Sequence, residues 1–93
     1  MLYQDDASGL TGVSNVFIDS FMKDANDAQL KIYLYLIRMF SSNMPVSISD
    51  MADKFNHTEK EVIRSLQYWE RMKLLSLEYV DCRNIIGIRM QAP

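Results

Sequence analysis

The chain holds one cysteine, one histidine, two prolines and three glycines in 93 residues, and each scarcity removes a class of proteins. Cys82 alone closes no internal disulfide and gives zinc no cysteine cluster. His57 has no second histidine and no nucleophile at a recognisable spacing, so neither a metal centre nor a nucleophile–base pair is encoded. The glycines stand at positions 9, 12 and 87, too dispersed for a phosphate-cradling loop, and GxSxG and HExxH are absent. The pattern is that of a chain that binds rather than catalyses, with no catalytic residue, cofactor or metal expected.

Two further absences concern the partner. No apolar run approaches the roughly 18 residues a membrane-crossing helix needs. The start carries Asp5 and Asp6 in place of a basic, then apolar, leader, so no secretory signal is read and a cytoplasmic location is expected. In that setting the sequon Asn56-His57-Thr58 is coincidental. Ten basic residues face twelve acidic ones, a net charge of −2. Bulk charge therefore cannot hold nucleic acid, and any contact with DNA must come from a local stripe.

What is present suffices for one domain. Apolar residues make up 48% of the chain, with seven methionines and ten aromatics, and a chain of this size hides roughly 60–65% of its unfolded surface. Residues 1–12 are polar and acidic with Gly9 and Gly12, a loose lead-in to a domain over 13–90. Val13, Phe17 and Phe21 share helical spacing and predict a short arm over 13–22, with Ser14 at its start. Asn26 and Gln29 have the spacing of a capping box and open a helix from about Asp27 to Ser41. Pro45-Val46-Ser47 is extended. Ser47 or Ser49 opens a second helix with an apolar stripe of Ile48, Met51, Ala52 and Phe55. After a turn at Asn56-His57, Thr58 and Glu61 form another capping box. They start a third helix to about Met72 or Lys73, with Val62, Ile63, Leu66 and Trp69 facing inward.

From Leu75 the period changes to two: Leu75, Leu77 and Tyr79 alternate with Ser76, Glu78 and Val80. Asp81-Cys82-Arg83-Asn84 forms a hairpin tip, and Ile85 to Met90 returns, with Gly87 at a bulge or a close approach. The order helix, extended piece, helix, tight turn, helix, hairpin predicts a mainly α fold with a small β-hairpin wing over about 75–90. That is the winged helix-turn-helix, whose third helix is the recognition helix.

The segments Val13–Met22, Lys31–Arg38, Ile48–Thr58 and Val62–Glu70 resemble the N-terminal domain of DnaD-like bacterial primosome proteins over roughly residues 13–79. The resemblance implies a module for self-association in replication initiation, with other replication proteins as partners and DNA contact secondary. The alternative is a winged-helix transcription regulator that reads operator DNA as a dimer.

Two sets of candidate residues follow. At about 100° per residue, Lys60, Arg64, Gln67 and Arg71 fall within about 60° of one another, a cationic arc suited to phosphates and base edges of duplex DNA. Arg83, with Arg89, adds cations to the hairpin. The second set concerns a homo-oligomer. Leu30, Tyr33, Leu34 and Ile37 form one apolar face of the first long helix, while Ile32, Tyr35, Leu36 and Met39 form a second. One core covers one face, so these four with Phe17 and Phe21 of the arm are the self-association candidates. The same patch is also explained by the arm folding back within one chain.

Overall fold

The computed structural model describes residues 9–81 and 84–92. The architecture is mainly helical with one antiparallel hairpin. An arm begins with a π-helical turn at Phe17–Phe21 and a 3-10 turn at Met22–Asp24. Three α-helices follow, α1 (Asp27–Ser41), α2 (Ile48–Phe55) and α3 (Glu59–Arg71), then β1 (Leu75–Tyr79) and β2 (Ile85–Met90). Among the described residues no helix is long and apolar enough to cross a membrane.

Short-range hydrogen bonds set the helix starts. Asn26 Oδ1 accepts from the Gln29 amide at 2.8 Å while Gln29 Oε1 accepts from the Asn26 amide at 2.9 Å. Thr58 and Glu61 repeat the reciprocal pair at 3.1 and 2.7 Å, and Ser47 Oγ takes the Asp50 amide at 3.0 Å. In the arm, Ser14 Oγ accepts from Val16 at 3.1 Å. Each cap satisfies amide groups that a first helical turn leaves without a partner.

The helix ends share a single device. After α1, Met44 N–H returns to Met39 C=O; after α2, His57 to Ala52; after α3, Leu74 to Trp69. This six-to-one closure needs a left-handed residue just past the helix. Here it is never glycine: Asn43 (φ 54°), Asn56 (φ 57°) and Lys73 (φ 65°) fill the position. Asparagine tolerates that region, whereas lysine has no side-chain compensation for it.

The core is built around Trp69. Its indole N–H donates to the Gln29 carbonyl at 2.8 Å, tying α3 to the first turn of α1. Tyr33 lies 5.0 Å from the indole between ring centroids, and Phe17 stacks on Tyr33 at 4.1 Å. Ile32, Leu36, Met51, Val62, Leu66, Leu74 and Leu75 complete a fully buried cluster.

One expectation is corrected. Ile32 and Leu36, assigned to a spare face of α1, are fully buried within the chain, whereas Leu34, assigned to the core, is exposed. Tyr33 is buried as expected. The arm, α2 and α3 enclose a broad arc of α1 centred near Leu36 and Tyr33, and that arc includes most of the supposed spare face.

The two strands pair with Leu75 opposite Met90, Leu77 opposite Ile88 and Glu78 opposite Gly87, with a bulge at Glu78/Tyr79. Leu75 and Leu77 point inward and Tyr79 is exposed. The 45–47 segment runs extended beside the hairpin without joining the sheet, which among the described residues has two strands.

Replacing Trp69 by Ala removes the ring contacts and leaves the cluster hollow, so a loss of about 3–5 kcal/mol is expected in chemical denaturation. Lys73→Gly should do the reverse. It relieves the left-handed strain without touching a buried contact and should raise stability by about 1 kcal/mol, read from the same denaturation midpoint.

Candidate functional site

The face of α3 away from the core carries the cationic arc. Lys60, Arg64 and Arg71 are exposed and Gln67 is half-buried, while Val62, Ser65, Leu66 and Trp69 are buried on the other side. The arc stays free of negative charge because two of the acids on this helix are engaged elsewhere. The Glu61 carboxylate turns back to the Thr58 amide, and that hydrogen bond, helped by the Thr58 side chain, holds its pKa below the usual value. Glu70 Oε2 accepts the Leu77 amide of β1 at 3.0 Å. The arc is thus a product of capping and hairpin anchoring as well as of helical spacing.

Arg71 lies over the Tyr68 ring, 6.0 Å from its centroid. Tyr68 in turn meets Trp69 edge-on at 4.8 Å between ring centroids, so it belongs to the junction of α3 with the core. Arg89 is exposed on β2. Arg83 and Cys82, at the hairpin tip, lie outside the described residues, as do residues 1–8 of the lead-in.

The self-association candidates are not brought together on an open face. Phe17, Ile32 and Leu36 are buried in the chain's own core. Phe21 and Met39 are half-buried. Tyr35 packs edge-on against Phe55 at 5.4 Å, with Lys54 Nζ 5.8 Å from its ring centroid. The arm is itself part of that core: Phe17 packs against both Tyr33 and Trp69, so its ring is closed in by its own chain rather than offered to a second copy.

Open apolar surface lies elsewhere. Ile86 and Val80 are 69% and 63% exposed, and Tyr79 joins them on the distal half of the hairpin. Ile86 also lines a groove of about 320 Å³ between Phe40, Val46 and Ile48 on one side and Ile85–Ile88 on the other. A second groove of about 420 Å³ lies between Tyr33, Ile37 and Phe40 and the end of β2 at Met90. The signal for this surface was Ile85-Ile86, two consecutive large apolar residues that break the two-residue period of a half-covered strand.

Among the described residues no group of three or more His, Cys, Asp or Glu side chains is placed to hold a metal. His57 Nδ1 is buried without a hydrogen-bond partner, in the turn that closes α2. No protein-family model, curated protein or solved structure matches the chain.

Proposed function

We propose that the chain is a winged-helix interaction module whose principal act is self-association, serving DNA replication initiation in the manner of the DnaD-like proteins it resembles. The observation that carries the self-association is the hairpin: Ile86, Val80 and Tyr79 stay exposed after the core has closed, and Ile86 lines an apolar groove. Large apolar side chains left exposed on so small a domain favour association. The order of helices and hairpin supports the winged-helix assignment.

Sedimentation equilibrium over a micromolar concentration series tests the association directly. A reversible dimer or higher oligomer is expected, and a chain that stays monomeric at high micromolar concentration would sink the reading. For the replication role, depletion of the protein in its host should lower the origin-to-terminus ratio of the chromosome. An unchanged ratio would remove that part alone.

A second reading rests on α3. Its exposed Lys60, Arg64 and Arg71, with Gln67 between them, favour duplex DNA as an additional ligand. Three cations against a net charge of −2 support only weak, sequence-independent binding, with a log–log salt slope no steeper than about −3. Fluorescence anisotropy on unrelated duplexes should give similar affinities, reduced by both Lys60→Ala and Arg64→Ala. Nanomolar, site-specific binding that Arg64→Ala relaxes would instead favour a transcription regulator.

A further inference from the structure

The outer edge of β2 is an unfinished ladder. Gln91 N–H bonds to Leu74 C=O, so the alternation of an antiparallel pair makes 76:89 and 78:87 the hydrogen-bonded couples. Leu77 N–H accordingly points away from β2 and is taken by Glu70. By the same alternation, the backbone groups of Ile88 and Met90 point away from β1, toward the groove. Among the described residues no backbone hydrogen bond joins them to the 45–47 segment across it. Such an edge takes an extended main chain, about 4.8 Å away.

Charge selects the occupant. Glu78 stands opposite Gly87, and its Oε1 lies 2.6 Å from where a Cβ on that glycine would be. The carboxylate therefore leans across the glycine toward the open edge. Arg89 is the one charged residue of β2. In an antiparallel pairing of two β2 strands about Ile88, each Arg89 falls opposite the other copy's Gly87, next to that copy's Glu78. A shift of two residues one way sets Arg89 against Arg89. The other way sets glycine against glycine and takes Arg89 away from Glu78. Odd shifts bring the wrong backbone groups to the edge.

We propose that two copies of the chain pair their β2 strands antiparallel about Ile88, making one four-stranded sheet clasped by reciprocal Arg89–Glu78 contacts. Ile88 and Met90 of each copy then lie over the groove floor of Val46 and Ile48 in the other, and Ile86 leaves water. The pairing rests on the self-association reading above and gives it an address.

The experiment is a charge swap followed by sedimentation velocity, with circular dichroism to confirm that each variant is folded. Glu78 and Arg89 are both exposed, so neither change disturbs the core. Arg89→Glu alone sets Glu against Glu, and Glu78→Lys alone sets Lys against Arg. Each should weaken dimerisation roughly tenfold or more, since two attractive contacts become repulsive. An equimolar mixture of the two variants restores both contacts and should dimerise like the parent. Ile86→Lys, at an exposed position, should also give a folded monomer, because the new charge would be buried at the joint. Variants that dimerise like the parent, or a mixture that stays monomeric, would overturn the pairing while leaving self-association intact. A monomeric parent would overturn both.

Discussion

Everything in this small fold hangs from the indole of Trp69. Its N–H needs a buried acceptor, and the Gln29 carbonyl supplies one in the first turn of α1. That single bond sets where α1 crosses α3. The ring faces left open by the crossing are closed by Tyr33 and then by Phe17, so the arm is held to the body by the same aromatic group that joins the helices. The outward face of α3 inherits its direction from this arrangement. With Trp69 fixed inward, Lys60, Arg64 and Arg71 have no course except toward solvent.

The local structure was legible because its causes are local. Asn26/Gln29 and Thr58/Glu61 form the reciprocal caps that their spacing announced, and the change of period at Leu75 marks the hairpin to within a residue. Gly87 is explained both by the adjacent bulge and by the Glu78 side chain above it. The orientation of α1 was missed because nearly every position on that helix is apolar. The decisive residues were its few polar ones. Lys31 and Arg38 lie about 20° apart on the helical wheel, and the point opposite them falls between Leu36 and Tyr33. Both of those are buried, as is their neighbour Ile32. A helix of this kind is oriented by where charge is tolerated.

The candidate site was legible in part. The cationic arc of α3 follows from spacing, but its freedom from acid depends on Glu61 turning back to Thr58 and Glu70 reaching β1. The second of these is a tertiary contact that no periodicity encodes. The apolar hairpin surface was overlooked for a related reason. A strand's exposed edge depends on whether a neighbour joins the sheet, and the extended 45–47 segment, well placed to do so, remains unpaired.

The bond between Trp69 and Gln29 joins residues 40 positions apart, whereas the caps, helix closures and hairpin all bridge short separations. Loop-closure entropy has to be met before such a distant contact returns anything, and contacts of long sequence separation slow folding. Helices and hairpin can therefore flicker into place early, while the seating of α1 against α3 sets the pace of the whole chain. Because Trp69 is the only tryptophan, its fluorescence is a clock for that slow seating and is blind to the quick local events before it.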